Sequence, residues 1–253
     1  MSRVIRVLVG LFVVMPIAGT ALAATSVDFS QGPWGRGVTL DWLGYAWAPL
    51  APAVARSLGV ATLVVGINLL LGGVIAWRIA RSRSLVSRAV GYLVNVPLAV
   101  PGIALSVALV GTFPALRPSG LLLVMAHVVL TLPFTLAALV PVLADESLRA
   151  AEEVAASLGA GSALVIRTIT VPACGLAIAQ SAAMVFALSF GEFNISFFVN
   201  PPATPTVPFA LFDAYSTGRL ELASAQTVIF IAFIVPVLVA IVSIQRRTRR
   251  TDP

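Results

Sequence analysis

The chain has 253 residues, of which 59% are hydrophobic and only 10% are charged, and its formal net charge is +6. A soluble domain of this size carries about a quarter charged residues, so the composition predicts a polytopic membrane protein. The positive charge does not indicate nucleic-acid binding, because the arginines lie in short runs beside apolar segments, where the positive-inside rule places them.

The inventory of reactive side chains narrows the function further. Cys174 is the one cysteine and His127 the one histidine, so the chain has neither an internal disulfide nor a site built from several Cys or His ligands. We therefore expect no metal, no cofactor and no catalytic residues. The phosphate-binding pattern G-x4-G-K-[ST] does not occur, so any ATP hydrolysis must take place on another polypeptide.

The first apolar span, residues 4–24, admits two interpretations. Its basic start, apolar middle and Ala21-Leu22-Ala23 ending fit a cleavable signal peptide. It is also about 20 residues long, which is enough to cross the hydrocarbon core of a bilayer. We favour a retained first transmembrane helix, and a mature N-terminus after Ala23 or Ala24 would favour the signal peptide.

The next segments alternate between aromatic, apolar and proline-interrupted stretches. Residues 25–56 are predicted as an outer loop or as a short helix on the outer membrane surface, because they are rich in tryptophan. The second span covers residues 57–77 and the third residues 89–113. Pro97 and Pro101 interrupt the third span, and the backbone hydrogen bonds that they remove predict a kink or an unwound turn.

The second half of the chain contains three more predicted spans. They cover residues 120–143, residues 173–199 and residues 222–244, and a proline-rich outer loop occupies residues 200–220. A lone histidine inside a membrane more often accepts an interhelical hydrogen bond than relays protons. Four polar side chains are candidates for a translocation path: His127, Ser189, Glu192 and Asn194.

An elbow of two short helices, residues 146–172, is predicted between the fourth and fifth spans. One apolar stripe follows the first helix: Leu148, Ala151, Ala155 and Leu158. Gly159 stands where a left-handed cap would end that helix, and Ser162 could cap the next one. Val171 precedes Pro172, so we expect an extended backbone there and a new membrane helix from the proline onward.

The arginines predict the orientation of the spans. With six spans and a cytosolic N-terminus, the cytosolic segments would hold the basic majority: Arg3, Arg6, Arg78, Arg81, Arg83, Arg88, Arg149, Arg167, Arg246, Arg247, Arg249 and Arg250. The outer loops would hold four: Arg36, Arg56, Arg117 and Arg219. The positive-inside rule therefore predicts that both termini lie in the cytosol.

The elbow resembles the signature loop of the membrane subunits of binding-protein-dependent ABC importers. The spacing E-A-A-x3-G-x9-I-x-L-P is matched by Glu153, Ala155, Gly159, Ile169, Val171 and Pro172, with Val154 and Val171 in place of an alanine and the leucine. The flanks, residues 126–134 and 186–193, look most like spermidine/putrescine-type permeases. Iron(III), thiamine and phosphonate permeases are near relatives, and the resemblance covers about residues 57–245.

This resemblance implies a type I importer permease of the bacterial inner membrane, with one all-α domain over residues 1–253 and six transmembrane helices. It implies a second permease subunit, a homologue in the spermidine-type systems, together with an extracytoplasmic solute-binding protein. Each elbow would dock on one subunit of a cytosolic ATPase dimer that binds the ATP. The resemblance and the small side chains assign this docking to Glu153, Ala155, Ala156, Gly159, Ile169 and Pro172.

Glu192 leaves two alternatives open. If it lines the path, its charge favours a cationic substrate such as a polyamine; otherwise it is a structural group that pairs with an arginine of the second permease. An alternative function is a secondary transporter driven by an ion gradient, in which Glu192 and His127 carry protons or cations. That alternative gives no role to the elbow.

Overall fold

The computed structural model describes residues 3–82, 84–201 and 204–251, and the chain is helical through most of these ranges. In chain order its α-helices are α1 (Arg3–Ala24), α2 (Asp41–Ile67), α3 (Gly73–Arg81), α4 (Leu85–Leu93), α5 (Val96–Ala99), α6 (Gly102–Thr112), α7 (Leu121–Ala144), α8 (Glu146–Ser157), α9 (Ser162–Val165), α10 (Val171–Ala173), α11 (Gly175–Phe190), α12 (Asn194–Val199), α13 (Val207–Ser216) and α14 (Leu220–Thr251). The fold of the described residues is the all-α architecture that the resemblance implies. Arg83, one of the arginines used for orientation, lies outside the described residues.

Short segments of other helical types connect some of these helices. Two π-helical turns, Asn68–Gly72 and Ile166–Thr170, continue the chain from α2 into α3 and from α9 into α10. Two 3₁₀ turns lie at Phe29–Gln31 and Pro114–Leu116. Isolated π turns inside α-helices often occur at functional sites; of these two, Ile166–Thr170 lies within the elbow and Asn68–Gly72 packs against α7 and α11.

Four helical stretches of the described residues are long and apolar enough to cross a membrane: Val4–Ala24, Asp41–Arg81, Leu121–Ala144 and Leu220–Val237. Two bent pairs also qualify. The pair α4–α5 and α6 is bent by 107°, and the pair α9–α10 and α11 is bent by 66°. Counting each bent pair as one span gives the six spans that the sequence predicts, while the exact number and the orientation stay predictions.

The break in the third predicted span is sharper than a proline kink. Val100 has an extended backbone, with φ −94° and ψ 129°, between the short helix that contains Pro97 and the helix that follows Pro101. The two prolines therefore interrupt the helix, as predicted. The residue before a proline is biased away from the helical region, which explains why the break falls at Val100.

Contacts divide the chain into two compact units. The first consists of residues 1–56 and 204–235 and the second of residues 57–203 and 236–253. In the first unit, buried Ala24, Ala46 and Ala225 form a small core. The 3₁₀ turn that begins at Phe29 is held near the start of α14, because the Phe29 N–H donates a 2.9 Å hydrogen bond to Glu221.

In the second unit, α7 is the central helix and packs against α3, α11 and α12. Near its N-terminal end, Leu122 and Leu123 pack with Ile195 and Val199 of α12. Near its C-terminal end, α7 shares a core with α3, α8 and α11, formed by Ala76, Leu136, Leu139, Leu143, Leu148, Cys174 and Ala177. This second core supports the elbow.

The second span begins earlier than the sequence predicts. The sequence predicts an outer loop or a short surface helix for residues 25–56, but the continuous helical stretch Asp41–Arg81 is 41 residues long and includes Trp42. Pro49 and Pro52 lie inside α2. A proline in a membrane helix leaves a backbone carbonyl without its hydrogen bond, and neighbouring groups can satisfy that carbonyl. Pro49 and Pro52 are therefore compatible with a continuous helix.

The fifth predicted span is broken. Residues 173–199 were expected to form one helix, but α11 ends at Phe190 and α12 begins at Asn194. Glu192 therefore lies in the joint between two helices and not within a helix. Gly191 caps the C-terminal end of α11. The turn that follows this cap interrupts the apolar stretch 173–199, so it does not form one straight helix.

Two local predictions about the elbow are wrong. Gly161 is the cap residue before α9, and Ser162 is its first helical residue. Val171 is helical, with φ −64° and ψ −45°, although it precedes Pro172. Packing of the helical stretch 162–173 beside the core of α7 overrides the local preference of a residue before proline.

Candidate coupling elbow and buried polar cluster

The first helix of the elbow, α8, begins at a well-formed cap. Asp145 accepts hydrogen bonds from the backbone N–H of Ser147 at 2.8 Å and of Leu148 at 3.3 Å, and from the Ser147 hydroxyl. These bonds, the Ser147 hydroxyl first, lower the pKa of Asp145 below its ordinary value. The cap satisfies N–H groups that otherwise lack a partner at the start of a helix.

One face of α8 is tied to the rest of the second unit. A Glu152 oxygen lies 2.7 Å from the guanidinium group of Arg81 at the end of α3, and the Thr170 hydroxyl donates a 2.6 Å hydrogen bond to the other oxygen. Arg149 donates to the carbonyl of Ala80. Leu148 is buried in the core. Glu152 thus joins α8 to α3 and to the π turn that precedes Pro172.

The turn between α8 and α9 needs a glycine. Gly159 has φ +89°, a left-handed conformation that L side chains rarely adopt. The Gly159 N–H bonds to the Ala156 carbonyl and the Ala160 N–H to the Ala155 carbonyl, both at 3.0 Å, so the last carbonyls of α8 are satisfied. The sequence-based prediction of a glycine cap at this position is confirmed.

The opposite face of the elbow is exposed. Leu158 at the tip is 83% exposed and Val154 is 60% exposed, so the predicted apolar stripe is buried only at its Leu148 end. The sequence-derived docking residues divide into two groups. Glu153, Ala156, Gly159 and Pro172 are exposed and Ala155 is half-buried, whereas Ile169 packs against the core.

The path candidates form a cluster around His127 on α7. The imidazole Nδ1 lies 2.8 Å from the Ser189 hydroxyl, and Nε2 lies 3.0 Å from the Ser196 hydroxyl. A Glu192 oxygen is 3.6 Å from Nε2. His127 is 1% exposed, and every polar atom of its ring faces a partner.

Glu192 also holds the start of α12. Its two oxygens accept hydrogen bonds from the backbone N–H of Ile195 at 2.9 Å and of Ser196 at 2.8 Å. The carboxylate is therefore engaged by groups of its own chain, and its side chain is only 9% exposed. Asn194 is exposed and stays outside the cluster.

Further hydroxyl and amide groups extend this cluster along α7. The Thr131 hydroxyl donates to the His127 carbonyl at 2.6 Å and accepts from the Asn68 amide at 2.9 Å. One turn further, the Ser181 hydroxyl donates to Thr135 at 3.1 Å. These buried bonds join α11, α7 and the first residue of a π turn.

The structure brings three of the four path candidates together: His127, Ser189 and Glu192. The sequence analysis missed three residues that make important contacts. Arg81, Glu152 and Ser196 carry contacts that no motif marked. Ser196 could have been suspected because it lies four residues after Glu192. The sequence did not indicate the role of Glu152, because the motif is matched by the neighbouring Glu153. Its partner Arg81 is also distant in the sequence.

Comparison with known proteins gives the family. The molybdenum transport system permease ModB of Azotobacter vinelandii is 32% identical over 179 residues, which cover 64% of this chain and 79% of ModB. A putative ABC transporter permease, ORF1, of Streptomyces antibioticus is 30% identical over 212 residues, or 80% of this chain and 89% of the relative. The chain belongs to the permease subunits of ABC importers.

A third relative of the permease covers less of each chain. The putative 2-aminoethylphosphonate transport system permease PhnV of Salmonella typhimurium is 28% identical over 155 residues, which are 60% of this chain and 58% of PhnV. No family model matches the permease. The relatives are transporter permease subunits, and together with the long apolar helices they make this a multi-pass membrane protein.

The substrate expectation is not supported. The sequence flanks favoured a polyamine, but the relatives carry molybdenum and 2-aminoethylphosphonate in their names. The charge argument also weakens, because Glu192 is engaged by His127 and by two backbone N–H groups. Glu192 interacts with groups of its own chain, whereas the structural alternative expected an arginine of a second permease.

Proposed function

We propose that this permease forms half of the translocation path of a bacterial inner-membrane importer and that its elbow receives force from a separate ATPase subunit. The observation that carries the proposal is the division of α8 into two faces. Glu152 and Leu148 fix one face, while Val154, Leu158 and Gly159 lie exposed on the other. An exposed apolar tip on an otherwise polar segment is typical of a docking surface.

The tied face gives the elbow a way to transmit movement. A displacement of α8 would be transmitted to α3 through the Glu152–Arg81 ion pair and to the π turn through the Glu152–Thr170 hydrogen bond. It reaches α7 through the core around Leu148. Since packed interiors are not continuously deformable, displacement of α8 would move these helices as connected bodies.

The partners follow from this mechanism. A cytosolic ATPase dimer would bind the ATP, one subunit to each elbow, and a second, homologous permease would complete the path. An extracytoplasmic binding protein would deliver the solute. Membership of the ABC importer family supports this arrangement, and it leaves the ion-driven alternative based on Glu192 and His127 without support.

For the substrate we infer a small anion of the phosphonate class. The resemblance allowed phosphonate, and one relative is named for 2-aminoethylphosphonate. The described polar cluster supports this choice, because its one carboxylate, Glu192, has its charge engaged internally. The clustered groups that remain are hydroxyls, an amide and an imidazole, none of which carries a negative charge to favour a cation.

Co-purification of the ATPase tests the coupling proposal. Tagged permease should retain its ATPase when Gly161 is changed to valine, because Gly161 has an ordinary φ of −70°. It should lose the ATPase when Gly159 is changed to valine or Glu153 to lysine, while insertion in the membrane is unchanged. Retention of the ATPase by both of these variants would overturn the elbow mechanism.

Thermal stabilisation of the cognate binding protein tests the substrate. A panel of 2-aminoethylphosphonate, a molybdenum oxyanion and spermidine separates the alternatives in one experiment. We expect stabilisation by 2-aminoethylphosphonate or another phosphonate. Stabilisation by spermidine alone would restore the polyamine hypothesis and contradict the anion proposal.

A further inference from the structure

An open apolar groove of about 500 Å³ lies in the second unit beside the elbow. It is bounded by α3, by the C-terminal half of α7 and by the helical stretch 162–173. Leu70, Val74, Ile166 and Val171 form much of its rim, and each of these side chains is at least 42% exposed. This is a continuous apolar surface in a protein that contacts a bilayer.

The groove lining is apolar apart from the Thr170 hydroxyl, the Cys174 thiol and the Trp77 indole N–H. Its one hydroxyl, on Thr170, already donates to Glu152. The Trp77 ring lines the groove and lies under the guanidinium group of Arg81, 4.7 Å from the ring centroid. The occupant must therefore be apolar along the length of the groove.

Two arginines lie close in sequence to lining residues of this groove. Arg78 follows Val74 by one helical turn on α3, and Arg167 precedes Val171 by about one turn on the facing stretch. Because α3 runs toward α8 and the facing stretch runs away from α8, both arginines lie at the end of the groove nearer to α8. Both are exposed, and neither forms an ion pair with the described residues.

We propose that the groove holds an acyl chain of an anionic phospholipid, whose headgroup phosphate binds Arg78 and Arg167. The proposal rests on the proposed function in one respect, the cytosolic position of the elbow. Basic residues at the cytosolic ends of membrane helices attract anionic lipids. A helix of a second permease would fill the apolar groove without supplying a phosphate, and a zwitterionic lipid supplies one whose attraction to the two arginines is offset by its own cationic group.

Trp77 provides a local reporter, because brominated acyl chains quench tryptophan fluorescence on contact. Full-length permease is placed in phosphatidylcholine nanodiscs in which about one lipid in five is brominated, as either phosphatidylglycerol or phosphatidylcholine. The fluorescence of Trp77 is obtained by subtracting the emission of the Trp77→Phe variant from that of the native chain. An enrichment of about thirtyfold from two arginines predicts about fourfold stronger quenching by brominated phosphatidylglycerol.

Matched variants separate charge from groove shape. The double change Arg78→Gln with Arg167→Gln should remove the preference for phosphatidylglycerol. Arg88→Gln, at an exposed arginine on α4, which supplies no residue to the lining, should keep it. Gly73→Leu should reduce quenching by both lipids, because a Cβ at Gly73 points into open space within the groove. Gly66→Leu, also in open space but outside the lining, is its control.

Two results would overturn the proposal. Equal quenching by both brominated lipids would mean ordinary, unselective lipid contact, and absence of quenching by either would mean that protein covers the groove. Neither result depends on ATPase binding, so failure here leaves the coupling proposal intact. Conversely, selective quenching with ATPase retained by the Gly159 and Glu153 variants would refute the coupling proposal alone.

Discussion

The guanidinium group of Arg81 lies 2.7 Å from the carboxylate of Glu152, and this ion pair joins the end of α3 to the middle of α8. The side chains of the pair are only 21% and 11% exposed. A partly buried pair of this kind resists rotation of α8 against α3. The neighbouring Glu153, which matches the family motif, is exposed, so adjacent carboxylates have different roles.

Replacing Glu152 with glutamine should loosen the elbow. We expect the free energy of unfolding to fall by about 2 kcal/mol. This is less than for a fully buried pair, because Arg81 keeps some exposure to water. Amide hydrogen exchange of α8 should rise in Glu152→Gln and stay near the native rate in the matched control, Glu153→Gln. Equal protection of α8 in the two variants would mean that the ion pair does not hold the elbow.

Replacing Gly159 with valine should distort the turn between α8 and α9. A side chain at φ +89° costs about 1–2 kcal/mol, and more for a β-branched residue, while a Cβ there meets no atom within 4 Å. Gly161→Val is the control, since its backbone suits any residue. Circular dichroism and thermal melting should separate the two variants, and identical melting temperatures would remove the special role of Gly159.

The cap at Asp145 predicts a pH dependence of α8. Its pKa is lowered in the folded protein, so the cap stabilises α8 above the ordinary pKa of aspartate and is lost as the pH falls through the lower folded pKa. Amide exchange of the first turn, corrected for the intrinsic rate, should therefore increase in acid. Asp145→Asn, which keeps a cap without a titrating carboxyl, should flatten this dependence; an unchanged profile would contradict the assignment.

Glu192 should stabilise the joint between α11 and α12. Glu192→Ala leaves the N–H groups of Ile195 and Ser196 without their acceptor, at a cost of about 1–3 kcal/mol. Glu192→Gln keeps one acceptor oxygen and should lose less. Thermal melting in detergent measures both, and normal stability with a selective loss of cation uptake would instead support a role of Glu192 in the path.

Cysteine labelling should establish the topology. In a Cys174→Ala background, an impermeant reagent added from outside should label cysteines placed at Ser30, Ser119 and Ser216, which are exposed in the structure. A cysteine at Ser82 should react only after the membrane is permeabilised. Labelling of Ser82 from outside would reverse the predicted orientation.

The sequence by itself determined the membrane class, most of the span positions and the elbow. These features depend on composition, apolar length and backbone preference, which are local: the run 121–144 is long and apolar enough to cross a bilayer, and Gly159 is suited to a left-handed turn. Family membership then agreed with the motif in the elbow. The substrate did not follow, because no local pattern encodes it.

Only the tertiary structure decided which charged groups are free and which are engaged. Glu152 and Glu153 are identical side chains one position apart, yet the helix places one against Arg81 and the other in solvent. The sequence left Glu192 either in the path or in a structural pair, and the joint between α11 and α12 places its carboxylate beside His127 and two backbone N–H groups. Such contacts join residues far apart in the chain, so they follow from packing and not from local sequence.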